Sequence, residues 1–175
     1  MGSAIPALLW GVALGNLLRG VPIDAHMQYV GGFFNLLNPY ALLGGATTLL
    51  LFLTHGAMFI ALKTDGEIRV RARELALRVG LAAAVVTVVF LVWTQARTGT
   101  VGSAVAFVLA AVALVGGLLA ITQVREGWAF LGTFAAIGLG VAGLFLALFP
   151  DVLPTSLADG VSLTTTNASA TDYTL

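Results

Sequence analysis

Five long apolar stretches alternate with short polar ones along the chain: residues 3–19, 39–62, 78–95, 102–122 and 128–149. Each approaches the roughly 20 apolar residues that a helix needs to cross the hydrocarbon of a bilayer. None contains a carboxylate. The acidic residues Asp24, Asp65, Glu67, Glu74, Glu126, Asp151, Asp159 and Asp172 fall in connections, in the tail or in the run-in to the third helix. The pattern predicts an all-α, polytopic transmembrane bundle of five spanning helices with short loops. It forms one domain over residues 1–154, followed by a polar tail over 155–175. It also predicts rods free of buried acid, with no acidic proton relay.

Local chemistry sets the boundaries. Arg19-Gly20-Val21-Pro22 closes the first stretch, because Gly20 can take a left-handed cap and Pro22 cannot continue a helix. Met1 stands almost at the start of that stretch, an abrupt beginning that suggests a piece of something longer. Met1-Gly2-Ser3 lacks the basic flank of a signal peptide, so the first stretch is not read as cleavable. Asn38-Pro39 opens the second helix, with asparagine as the cap and proline at the first helical position. Residues 33–37, mixed apolar and polar, suit a short interfacial segment. Thr64-Asp65-Gly66-Glu67 has a capping-box pattern that starts the third helix. Residues 67–78 then stand in water, where Glu67 with Arg71 and Glu74 with Arg78 each contribute about 0.3–0.5 kcal/mol. The five residues 123–127 leave room only for a helical hairpin.

Lysine and arginine set the orientation. Lys63, Arg69, Arg71, Arg73 and Arg78 surround the second connection and Arg125 precedes the fifth stretch, against Arg19 and Arg97 on the other side. By the positive-inside rule residues 63–78 are cytoplasmic, while the 20–38 connection and the tail after Phe149 lie outside. Composition agrees: 59% of residues are hydrophobic and 9% charged, with a mean hydropathy of +1.01, far from soluble domains. A net charge of zero offers nucleic acid no attractive field. The chain has no cysteine, hence no disulfide framework and no thiolate metal site. Asn167-Ala168-Ser169 matches a glycosylation acceptor, which in a Thr-rich strip reads as a chance match.

Small and polar residues refine the picture. Gly11 and Gly15 form a G-x-x-x-G pair, and Ala113-Gly117, Ala136-Gly140 and Gly138-Ala142 repeat the theme. Such faces let helices approach closely, either within the bundle or against a partner. Gly44-Gly45 and Gly116-Gly117 are expected to loosen or bend their helices. His55 lies two turns from the end of its stretch, where an ionisable group is a functional candidate. Three readings stand for it: a neutral histidine bonded to a neighbouring helix, a metal or haem ligand, or a contact for a quinone headgroup. The first is favoured, because no second ligand lies at metal spacing and His26 is in the outer connection. Asn16 reads as interhelical glue rather than a ligand. Trp93, Trp128, Tyr29 and Tyr40 suit aromatic belts, whereas Trp10, mid-stretch, reads as a packing residue. No nucleophile-and-base set, paired carboxylates or phosphate loop is visible, so no catalytic, cofactor-binding or metal site is assigned to this chain.

Two blocks carry a family resemblance: WGVALGNLLRGVP at 10–22 and GFFNLLNPYALLG at 32–44. Weaker matches continue through THGA at 54–57, KTDGE at 63–67, RVRAR at 69–73, WAF at 128–130 and SLT at 162–164. Together they resemble subunit II of the cytochrome bd-type quinol oxidases over essentially the whole chain. The resemblance implies a haem-free subunit paired with a larger subunit I, which holds haems b and d and the quinol-oxidising loop. The assembly oxidises quinol and reduces dioxygen to water in the bacterial plasma membrane, and a structural quinone is possible. The family fold implies two four-helix bundles plus a terminal helix. On that pattern this chain supplies the last helix of the first bundle and the whole second bundle, without the carboxylates proposed for proton passage. A small transporter or channel component is the alternative, and a purely structural scaffold the third.

Overall fold

The structure is a computed structural model, and it describes residues 2–169. The last residues of the tail, Asp172 among them, lie outside the described residues, as does Met1. Each apolar stretch forms one helix: α1 (Ala4–Arg19), α2 (Pro39–Lys63), α3 (Gly66–Thr98), α4 (Val101–Thr122) and α5 (Glu126–Leu148). A short 3₁₀ turn, Phe33–Leu36, precedes α2. Among the described residues four helices, α2 to α5, are long and apolar enough to cross a membrane. The 16 residues of α1 span about 24 Å, short of the roughly 30 Å of hydrocarbon. The 33 residues of α3 span about 50 Å, so its charged first turns extend beyond the apolar layer. The Arg71–Glu67 and Arg78–Glu74 pairs both form there.

The caps divide into those that form and those that do not. Asn38 accepts a hydrogen bond from the Ala41 amide at 3.0 Å, as its position before proline predicts. The capping box expected at 64–67 is not formed. Asp65 makes no cap bond; its carboxylate turns to Arg69 at 3.4 Å, and the Thr64 hydroxyl donates back to the Ile60 carbonyl. A capping box forms instead at α4, where Thr100 and Ser103 each accept from the other's backbone amide. Gly20 has the expected positive φ of 83°, but its ψ of 149° is extended rather than left-handed.

Packing depends on small residues. α1 runs antiparallel to α2, and a β-carbon on Gly44 would stand 2.6 Å from the Gly11 carbonyl oxygen. The α4–α5 hairpin closes the same way, with a β-carbon on Gly132 falling 2.7 Å from the Gly117 Cα. Neither position could hold a side chain without the helices parting. α2 and α4 run unbroken through Gly44-Gly45 and Gly116-Gly117, where Gly44 and Gly117 serve as contact points. α1 lies along α2 over its length, so it belongs to the same body as α2–α5 rather than standing apart. One apolar cluster, around Tyr40, Phe90 and Phe107, fills the Arg97 end. A second, around Met58, Leu118 and Ile121, fills the basic end near Lys63.

Two further expectations change. Trp10 is 65% exposed instead of packed. Tyr40, expected at an interface, is buried, with Phe90 and Trp93 against its ring. The tail up to Ser169 adds two short strands to an otherwise helical fold. Strands β1 (Asp151–Leu153) and β2 (Leu163–Thr164) pair antiparallel. Val21 donates to the Pro154 carbonyl at 3.1 Å and accepts from the Ser156 amide at 3.0 Å.

Gly117 and Gly116 are neighbours in sequence with different surroundings, since a β-carbon on Gly116 meets nothing within 4 Å. Gly117→Leu is expected to lower stability by at least the ~1–3 kcal/mol typical of overpacking. Gly116→Leu should leave it unchanged or slightly raised, because leucine is the better helix former. Thermal unfolding of both variants in detergent measures the difference.

Candidate functional site

The most strongly charged site is a buried acid at the basic end. Glu126 opens α5 and is 5% exposed, against the expectation that no acid is buried. Its Oε1 accepts from Arg69 Nε at 3.0 Å, and its Oε2 lies 3.0 Å from Arg69 Nη2. Arg73 Nη1 approaches Oε1 at 3.7 Å. The two arginines share a face because they stand four residues apart on α3. The α5 N-terminus adds a favourable dipole for the carboxylate. The hydrogen bond from Arg69 holds the Glu126 carboxyl below the usual carboxylate range, despite the burial that opposes ionisation. The arrangement ties the α4–α5 hairpin to α3. One signal for it was in the sequence: a lone acid at a hairpin with two cations on one face of a preceding helix.

His55 finds the interhelical partner expected of it. Its Nδ1 lies 2.8 Å from Thr133 Oγ1 on α5, and its ring stacks on Phe130 with centroids 4.4 Å apart. The Thr133 hydroxyl also reaches the Ala129 and Phe130 carbonyls at 3.2 and 3.0 Å. His26 lies in the exposed connection at the opposite end of the bundle. There Asp24 accepts from the His26 and Gln28 amides, both at 2.9 Å, and shapes the loop. Among the described residues no group of three His, Cys, Asp or Glu side chains could hold a metal ion.

Asn16 is buried where three segments meet. Its amide donates to the Val12 carbonyl at 2.9 Å and to Leu36 of the 3₁₀ turn at 2.8 Å. Its oxygen accepts from Asn38 Nδ2 at 2.9 Å, so one side chain joins α1, the turn and the α2 cap. Nearby, the Tyr40 hydroxyl sits 2.7 Å from Thr94 Oγ1, and the Arg97 guanidinium lies 5.6 Å from the Tyr40 ring centre. Neither set leaves a reactive group free; both fix helix ends.

A cleft of about 320 Å³ lies between α1–α2 and α5, with Phe90, Leu91 and Leu114 of α3 and α4 behind it. Its lining is apolar apart from Thr47, Thr48 and Thr87. The first two hydroxyls donate to backbone carbonyls, whereas Thr87 Oγ1 has no partner among the described residues. Sequence reasoning missed the cleft, because nothing local records how far apart α1 and α5 diverge.

Comparison with known proteins adds a family. The family described as cytochrome bd terminal oxidase subunit II matches residues 1–175. The chain is 36% identical over 179 residues to cytochrome bd ubiquinol oxidase subunit 2 of Bacillus subtilis, covering 99% of this chain and 53% of that protein. It is 29% identical over 213 residues to cytochrome bd-I ubiquinol oxidase subunit 2 of Escherichia coli, covering 100% of this chain and 56% of that protein. A probable cytochrome oxidase subunit 2 of Haemophilus influenzae is 40% identical over 104 residues, covering 57% of this chain and 28% of that protein. The chain thus spans about half the length of the Bacillus and Escherichia relatives.

The charged site makes a pH prediction. A carboxyl whose folded pKa is depressed stabilises the fold fully above its unfolded value, near 4.3 for glutamate. That contribution is lost as pH falls through the folded value. Glu126→Gln is therefore expected to melt below the parent chain at pH 7. The difference should shrink toward zero as the pH drops below about 4, read by thermal melts in detergent across pH. A difference that stays constant over that range contradicts the assignment.

Proposed function

Because the chain belongs to the cytochrome bd terminal oxidase subunit II family, we propose that it is the haem-free membrane subunit of a bd-type oxidase. In this reading a larger subunit carries haems b and d, oxidises quinol and reduces dioxygen to water. The present chain supports that subunit by packing against it and contributes no catalytic residue. The observation that carries the proposal is a family match along the whole chain, joined to a bundle of apolar helices.

All five helices span the bilayer in this proposal, with α1 completing its crossing through flanking residues and local thinning of the bilayer. The transmembrane domain covers residues 1–154. Residues 63–78 face the cytoplasm of a bacterium, and the segment 155–175 faces outward. The cation distribution supports that orientation, because Arg69, Arg73 and Arg125 gather at the end that carries Lys63. A transporter reading would rest on a broken helix at Gly44-Gly45; α2 runs unbroken there, so that reading loses its support.

Purification of the tagged chain from membranes tests the proposal. A haem-bearing partner with the absorption of a high-spin chlorin should accompany it. If the protein purifies alone and haem-free, and its removal leaves quinol oxidase activity unchanged, the proposal is wrong.

A further inference from the structure

The charges at the basic end do not cancel. Lys63 and Arg69, Arg71, Arg73, Arg78 and Arg125 gather there against Asp65, Glu67, Glu74 and Glu126. Arg69 meets the Glu126 carboxylate through two contacts at 3.0 Å, and Arg78 stands 3.6 Å from Glu74. Arg73 lies 3.7 Å from a carboxylate oxygen that Arg69 already holds, beyond hydrogen-bond reach. Its side chain is only 22% exposed, yet its guanidinium makes no hydrogen bond among the described residues. Arg125 is exposed, and its side chain has neither a hydrogen bond nor an ion pair among the described residues. Both arginines therefore carry charge without a counter-ion of their own.

A cavity of about 230 Å³ opens beside them, between α3 and the end of α4. Arg73 and Glu74 line it, and Val70, Leu77, Ile121 and Val124 make most of its remaining wall apolar. Val124 immediately precedes Arg125. The 22 residues of α4 span about 33 Å, so its end lies where hydrocarbon gives way to headgroups. Trp128, three residues beyond Arg125 and 66% exposed, suits the same depth. The amides of Gln123, Val124 and Arg125 occupy the last α4 carbonyls, which weakens the opposition of that helix end to an anion.

We propose that this cavity seats the headgroup of an anionic phospholipid. The phosphodiester accepts hydrogen bonds from Arg73, whose planar fork matches two phosphate oxygens, and Arg125 closes over it from the rim. The glycerol and first methylenes lie against Val70, Leu77, Ile121 and Val124. A free phosphate would meet the same arginines but would leave those apolar walls unused. Basic pockets between transmembrane helices are suited to such headgroups. The proposal needs only that the helices lie in a bilayer, so it stands or falls apart from the oxidase reading.

The test uses the protein purified in detergent with whatever subunits accompany it, then stripped of lipid. It is offered equal amounts of dioleoylphosphatidylglycerol and dioleoylphosphatidylcholine, which share acyl chains and differ in net charge. Native mass spectrometry counts the lipids retained. Phosphatidylglycerol should be held several-fold over phosphatidylcholine, and Arg73→Gln and Arg125→Gln should each remove most of that preference. Arg125→Lys should keep most of it. Arg71→Gln is the control, because Arg71 is exposed, paired with Glu67 and outside the cavity lining; its preference should not change. The Arg125 side chain makes no bond that the fold uses, so its variant reads the site even where Arg73→Gln loosens the Glu126 cluster. No preference, or one that Arg125→Gln leaves intact, overturns the proposal. An equal loss in Arg71→Gln does so too, since it marks a diffuse field rather than a seat. Displacement of the lipid by inorganic phosphate at equal concentration overturns the lipid assignment in favour of a free anion.

Discussion

Helices in lipid gain nothing from hiding apolar surface from one another, since the acyl chains are equally apolar. Their association rests on dispersion contacts and on hydrogen bonds that lipid cannot supply, and both require backbones to approach closely. In this chain the approach is set where glycine meets glycine: Gly11 with Gly44, and Gly117 with Gly132. The first pair holds α1 against α2, and the second closes the α4–α5 hairpin. The other contacts are arranged around those two crossings. Thr48 donates across the first to the Ala7 carbonyl at 2.7 Å. Thr133, one residue beyond Gly132, receives His55 from α2. The crossings therefore position the polar groups that give the bundle its register.

Charge acts at the ends, where water is near enough to lower its cost. The Glu126 carboxylate with Arg69 and Arg73 joins the hairpin to α3 at one end. At the other, neutral hydrogen bonds do the equivalent work through Asn16, Asn38, Tyr40 and Thr94, and residues 151–164 fold over the 20–30 connection. The middle carries the cleft and the unmatched Thr87 hydroxyl. A body clamped at both ends and open on one side suits the supporting role proposed for it.

The helices were legible because a run of apolar residues without carboxylates has few other structures open to it. Asn38-Pro39 was legible as a start for a local reason: cap and proline act within four residues. The box at Thr64–Glu67 was not, because the Thr64 hydroxyl turns back to the Ile60 carbonyl and Glu67 pairs with Arg71 one turn on. Glu126 looked like a loop acid, since its burial depends on two arginines more than fifty residues earlier. Trp10 and Tyr40 exchanged their expected roles because hydropathy reports depth along a span but not which way a face points. The glycine pairs showed close approach without showing what they approach. The strands after α5 are short, and their pairing depends on segments that meet only once α1 and α5 are packed.

The central claim is that this chain stabilises a haem-bearing partner without itself taking part in electron transfer. Haem content and quinol oxidase activity of membranes, measured with and without this chain, test it most directly. The account predicts that chlorin absorption and oxidase activity fall together when the chain is absent and return together when it is restored. Full haem incorporation and undiminished oxidase turnover in membranes lacking the chain would contradict it.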